Sequence, residues 1–317
     1  MIKMEEILCS IHNYTKFSSQ FSSQPGSFYD IAQAALDCGL DAVFTTDKNV
    51  YAVGHDQYYY RSEKRMLMLC GEELSDPLSE QGSSYLSLGA DKEQFNRRIP
   101  TPQNEIRILL TDTSENGQFR HIELLNAQKL LHRGLTAAMD DLQKNLRYFD
   151  NLLQADKQFT GLAGTCTRDI TSKYTWQELF STVCNHIISD ESLNGDLTHD
   201  KLLLLRKIKS GNLYFAIDGL HDARGFSFSA EGNNADAIAY PGDSIYLKNS
   251  ITLKITCPES CTCRLIRNGA VIKEWQQCKQ VPYTIYEPGY YRVECALTIR
   301  RTLYTWIISN PIYVAKG

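Results

Sequence analysis

The sequence lacks most of the features that announce a function. No apolar run approaches the roughly 20 residues of a membrane-spanning helix, so no membrane association is expected. The opening stretch MIKMEEILCSIHNY has no signal-like apolar core and meets acids early, so a cytoplasmic location is expected; a leader removed beforehand would be invisible to this reading. Neither sign of charge is in excess. With 33 Lys+Arg against 37 Asp+Glu the formal net charge is -4, and no global field draws nucleic acid. There is no Gly-rich phosphate loop of the P-loop or dinucleotide type and no G-x-S-x-G elbow, which removes the usual nucleotide-binding and serine-hydrolase signatures. Histidine is scarce. Only seven are present, and none falls between His132 and His186.

Cysteine is not scarce. Of ten, Cys9, Cys38, Cys70, Cys166 and Cys184 sit in apolar or small-residue surroundings, where a thiol packs as a small hydrophobe. The other five are Cys257, Cys261, Cys263, Cys278 and Cys295. The run CPESCTCRL could supply zinc thiolates, but it has no C-x-x-C knuckle and its last two cysteines alternate along a predicted strand. Reduced thiols are the reading favoured over a zinc site.

The remaining composition, 43% apolar and 22% charged over 317 residues, suits one large domain or a large and a small one. Up to about Phe228, strand-like and helix-like segments alternate, which argues for a parallel sheet or barrel. EEILCSI, DAVFTT, RMLMLCGEEL, SYLSLG, EIRILLTD, FTGLAGT and LYFAID read as strands. SFYDIAQAALDCGL reads as a helix capped by Ser27 and stopped by Gly39. A helical region is predicted over RHIELLNAQKLLHRGLTAAMDDLQKNLRYFDNLLQAD, and further helices over TWQELFSTVCNHII and HDKLLLLRKIKSG. That places His121 and His132 on a helical surface, His186 on a helix face and His199 near a cap. After Phe228 short strands are broken by Asn268-Gly269, Glu287-Pro288-Gly289 and Pro311, as in a small antiparallel β-sandwich. The expected organisation is an α/β barrel over residues 1–228 followed by an immunoglobulin-like sandwich over 229–317.

His12, Asp47, Glu73 and Asp218 each fall at the C-terminal end of a predicted strand. In an α/β barrel that rim carries the chemistry, because its loops vary while the strands hold position. One histidine and three carboxylates there could bind divalent metals; equally, any four strand ends carry some polar residues.

At these residues the chain resembles the PHP (polymerase and histidinol phosphatase) superfamily. The resemblance is narrower to a bacterial branch, related to carbaryl-hydrolase-type proteins, with an extra C-terminal β-domain. SIHNYTKFSS matches the family's opening H-x-H-T-x-x-S, and DIAQAALDCGLDAVFTTDKN matches the unit ending in T-D-H-N. VYAVGHDQYYY, MLMLCGEEL, FAIDGLHDARGFSF, YEPGYYRVE and WIISNPIYV match branch-specific stretches. The resemblance implies a distorted seven-stranded (β/α) barrel that binds two or three divalent metals and hydrolyses phosphoesters or related bonds.

It also implies a ligand set that this sequence breaks. His12, Asp47, Glu73 and Asp218 remain as remnant positions. Tyr14, Lys48, Ser84, Thr165 and Leu220 stand where the family has histidines, with His221 one residue beyond the last. Neutral imidazoles let a site hold several cations at moderate charge; without them the carboxylates repel each other. Lys48 has donors and no lone pair, so it is expected to act as a built-in counter-ion to Asp47, Glu73 or Asp218. His55 and Arg168 are further pocket candidates. No catalytic residue is assigned and no cofactor is expected, the alternative being a zinc, manganese or iron ion on His12, Asp47, Glu73 and Asp218. The expected function is a catalytically lapsed barrel that binds a small, anionic ligand at its mouth. Its β-domain would pack on the barrel or recruit a partner that the sequence does not identify. A metal-dependent phosphoesterase is the competing expectation.

Overall fold

The computed structural model describes residues 4–18, 26–75, 84–90, 105–110, 119–155, 158–167, 174–232 and 237–317. The first unit begins with β1 (Glu5–Asn13), α1 (Phe28–Cys38) and β2 (Ala42–Lys48). Helix α1 starts where Ser27 and Asp30 form a reciprocal capping box and ends at Gly39, whose φ of 72° favours glycine. Next come β3 (Gln57–Arg61), β4 (Lys64–Ser75), β5 (Ser84–Leu88), β6 (Ile106–Leu110) and β7 (His121–Asn126). Helices α2 (Ala127–Arg133) and α3 (Leu135–Gln154) lead to β8 (Thr160–Gly164), α4 (Trp176–Phe180), β9 (Cys184–Ser189), α5 (Leu197–Ser210) and β10 (Leu213–Ala216).

Two predicted helices begin or end as strands. HIELLN forms β7, parallel to both β6 and β8, and the helix starts only at Asn126, whose side chain accepts from Lys129 N. CNHIIS forms β9 because α4 stops at Ser181. There the hydroxyls of Ser181 and Thr182 take the last carbonyls of the helix, at Gln177 and Glu178. A short apolar run fits either period; packing between β1 and β10 decides it here. Consequently His121 and His186 are buried strand residues rather than helix-surface ones.

The hydrogen-bonded order is β8-β7-β6-β5-β4-β2-β1-β9-β10, with β3 as a short antiparallel addition to β4. A closed seven-stranded barrel is not what this ladder gives. β1 takes β9 as its second neighbour, antiparallel, so the edge that β8 would need is occupied. Among the described residues β8 has no second ladder partner, and side-chain amides meet its edge instead. Asn185 bridges Ala163 N (2.9 Å) and O (2.8 Å), and Asn310 bridges Gly161 N (2.7 Å) and O (3.1 Å). Backbone contact resumes only past the strand end, where Thr165 N and Cys166 N donate to Ile11 O and His12 O.

Side-chain alternation sorts the sheet into two faces. Ile7, Cys9, Ile11, Phe44, Leu67, Leu69, Leu86, Ile108 and Leu162 share one core with α5 residues. Leu8, Val43, Met66, Met68 and Cys70 face α1 on the other side.

The second unit comprises β11 (Ser227–Glu231), β12 (Ile238–Ala239), β13 (Ser244–Leu247), β14 (Ile251–Arg267), β15 (Ala270–Ile285), β16 (Gly289–Ile299), β17 (Thr302–Ser309) and β18 (Ile312–Lys316). β14 and β15 form a long hairpin turned by Asn268-Gly269, both at positive φ (49° and 78°), as a type I′ turn requires. The early part of β14 pairs with β11 and the later part with β16, and the register slips between Thr256 and Cys261. The expected seam at 228/229 falls inside β11, and β17 pairs with β10, so one continuous sheet joins the two units. Arg292 of β16 adds a buried fork onto Asp150 of α3, at 2.9 and 2.7 Å.

Candidate functional site

The rim begins at an irregular strand end. The β1–β2 register shifts between Ser10 and Asn13, and His12 has φ 71°, a left-handed conformation rare outside glycine and asparagine. From there the His12 ring reaches β7. Nδ1 lies 2.5 Å from Glu123 Oε2, and Nε2 lies 2.8 Å from the Tyr14 hydroxyl. Tyr14 in turn donates to Glu73 Oε2. Lys48 Nζ stands 3.9 Å from Glu73 Oε1. The result is one buried chain, Glu123–His12–Tyr14–Glu73, with the partly exposed Lys48 at its outer end. Glu123 also accepts from Asn126 Nδ2 at 2.9 Å. Only glycine fits beside it: a Cβ on Gly164 would fall 1.9 Å from Glu123 Oε2.

Burial alone would strip the proton from His12, yet the Glu123 carboxylate beside it holds its pKa well above the usual histidine range. Burial likewise opposes charge on Glu123, and His12 outweighs it, keeping the carboxyl below the usual glutamate range. His12 is therefore an imidazolium at neutral pH. Both its nitrogens donate, one to Glu123 and one to Tyr14.

Asp47 does not join this chain. Alternation turns Lys48 and Glu73 toward the Phe44 and Leu69 face and Asp47 toward the Val43 face. There it accepts from Thr15 N, Thr15 Oγ1 and Ser18 Oγ, each at 2.7 Å, tying down the segment after β1. Burial pushes its carboxyl above the usual aspartate range despite these donors. Of the three carboxylates offered to Lys48 by the sequence reading, Glu73 is the one it approaches.

Asp218 belongs to a different cluster. His186 stands opposite Leu8 in the β1–β9 register, so it occupies the α1 side of the sheet. Its Nδ1 is 2.7 Å from Glu6 Oε1, and its Nε2 is 3.1 and 3.3 Å from the two Asp218 oxygens. Tyr214 stacks on the ring at 4.4 Å and donates to Glu6. Burial lowers the pKa of His186, but Asp218 and Glu6 more than reverse this and push it up to about 9. This is an acid–imidazolium–acid bridge.

The other named positions are dispersed. Ser84 opens β5 opposite Ser75. Thr165 bonds Ser10 through its hydroxyl at 2.5 Å, lacing the ends of β8 and β1 together. Leu220 packs between the two largest apolar cores. His55 stacks on Phe28 at 4.3 Å and 9°. The exposed His221 rests edge-on against Trp306. Arg168 lies outside the described residues. Sequence reasoning missed Glu123, Glu6 and His186 as site residues. An acid and a histidine on predicted helices gave no signal of a strand-borne pair.

A divalent ion needs several lone pairs converging on one point. His12 has none to give while both nitrogens donate, Asp47 is turned to the opposite face, and Asp218 holds His186. The four positions therefore do not converge on one point. Two other donor sets among the described residues do converge: Cys184–His186–Asp218, and Cys257–Cys263–Cys295. In the first the imidazole carries protons on both sides, and burial raises the Cys184 thiol well above its usual range, so it reads as an ion-paired bridge.

No family model and no curated protein matches the chain. Among solved structures it is similar to a two-domain protein from Bacteroides vulgatus, described as containing a predicted PHP-like metal-dependent phosphoesterase. Identity is 14% over 96% of this chain and 95% of that one, with a TM-score of 0.44. PsfC from Pseudomonas syringae is also similar, at 11% identity over 62% of this chain and 88% of that one, with a TM-score of 0.42. No helix among the described residues is long and apolar enough to cross a membrane.

Proposed function

We propose that this chain is a PHP-like protein whose rim no longer performs metal-dependent hydrolysis and serves instead as a preformed binding surface for a small molecule. The motif resemblance supports the family. The observation that carries the loss of hydrolysis is the engagement of His12 by Glu123 and Tyr14, which spends the imidazole lone pair that a metal would need. Lys48 beside Glu73 adds a fixed cation that cannot lower the pKa of a water as a metal does. Lys48 and His12 stand against Glu73 and Glu123, and Lys129 adds a further positive charge near Glu123.

The test is turnover of p-nitrophenyl phosphate with and without added manganese, run beside Glu73→Gln. The expected result is no manganese-dependent turnover that the variant removes. Manganese-stimulated hydrolysis abolished by Glu73→Gln would return the chain to the phosphoesterases.

A further inference from the structure

The sandwich core contains a feature that the rim does not explain. Cys257, Cys261, Cys263 and Cys295 are all buried, between 0% and 4% exposed, within one apolar cluster that includes Leu253, Val293 and Trp306. Cys263 and Cys295 are direct cross-strand partners on β14 and β16. The register of β14 shifts between Thr256 and Cys261, and Cys257 comes to the same point. Its sulfur lies 3.5 Å from that of Cys295, and the sulfurs of Cys257, Cys263 and Cys295 all lie within 4.8 Å of one another. The Cys261 thiol is turned to β15, where it donates to Cys278 O at 3.8 Å.

From this geometry we propose that Cys257, Cys263 and Cys295 form a thiolate site for zinc that pins β14 to β16. A tetrahedral zinc with Zn–S near 2.3 Å sets its sulfurs about 3.8 Å apart, close to the 3.5 Å between Cys257 and Cys295 and inside the 4.8 Å that encloses all three sulfurs. Three soft donors and no carboxylate favour zinc over the hard cations. Each thiol that binds releases its proton to solvent, and the dication neutralises thiolates that an apolar core could not otherwise hold. The C-x-x-C signature is absent because the donors come from a strand irregularity and a neighbouring strand, not from a knuckle.

Two arrangements compete: a Cys257–Cys295 disulfide, and three reduced thiols packed as small hydrophobes. The full-length chain, made without a polyhistidine tag in zinc-supplemented medium and purified without chelator, separates them. Elemental analysis is expected to find one zinc per chain, which is lost in Cys263→Ser and in Cys295→Ser and kept in Glu73→Gln and Asp218→Asn. If the serine variants do not fold, cobalt substitution of the wild-type chain provides the readout, through an intense near-ultraviolet thiolate-to-cobalt band. The proposal is overturned by a disulfide among these cysteines in the mass spectrum, by free thiols with no metal after zinc alone is added, or by zinc that Asp218→Asn removes. Zinc lost in Glu73→Gln would instead count against the reading of the rim.

Discussion

Replacing Tyr14 by phenylalanine removes one oxygen and breaks the buried chain at its centre. Tyr14 is 3% exposed, and its hydroxyl stands between the protonated Nε2 of His12 and the carboxylate of Glu73. The substitution leaves the ring and its packing in place but takes one partner from each of two buried charged groups. A lost hydrogen bond to a charged group costs about 1.5–3 kcal/mol. Some of this is recovered because Lys48 still faces Glu73 and Glu123 still faces His12. The expected loss is therefore roughly 2–4 kcal/mol of unfolding free energy, large against the total of a typical domain. Urea denaturation of wild type, Tyr14→Phe, Glu73→Gln and the double variant gives both the loss and the coupling. The coupling between Tyr14 and Glu73 is expected at about 1–2 kcal/mol. If Tyr14→Phe stays within about 0.5 kcal/mol of wild type, the hydroxyl is not bridging two charges and the account of the rim is wrong.

Other consequences follow from the same electrostatics. Arg292→Met leaves Asp150 and Glu294 buried without their shared cation and is expected to lower stability by about 3–5 kcal/mol; the double variant Asp150→Leu/Arg292→Met should recover part of it in the same denaturation assay. Stability should also depend on pH through His186. Its folded pKa of about 9 lies above the ordinary 6.5, so its contribution is complete below about 6.5 and disappears as pH rises through about 9. The difference corresponds to roughly 3 kcal/mol at most, and melting curves from pH 6 to 10 should lose much of this slope in His186→Gln.

The parts of the fold legible in the sequence are those fixed by local chemistry. The Ser27 cap and the Gly39 stop bound α1 because the orphaned amides and carbonyls of a helix must be met nearby. Asn268-Gly269 turns the β14–β15 hairpin because both residues accept positive φ. β7 and β9 were not legible. HIELL and CNHII carry no period long enough to exclude a helix, and only burial on both faces makes them strands. The same failure hid Glu123 and His186, whose importance depends on which strand lies beside β1.

By itself, the sequence determined that a lysine follows Asp47 and that no histidine lies between His132 and His186, because identity at a position needs no geometry. It determined equally that strand ends would carry the polar residues. Only the tertiary structure decided that Asp47 and Asp218 turn away from His12, because the direction of a side chain follows from pleat and register. Only it gathered cysteines up to 38 positions apart around one point, because a strand slip and a cross-strand pairing act through space.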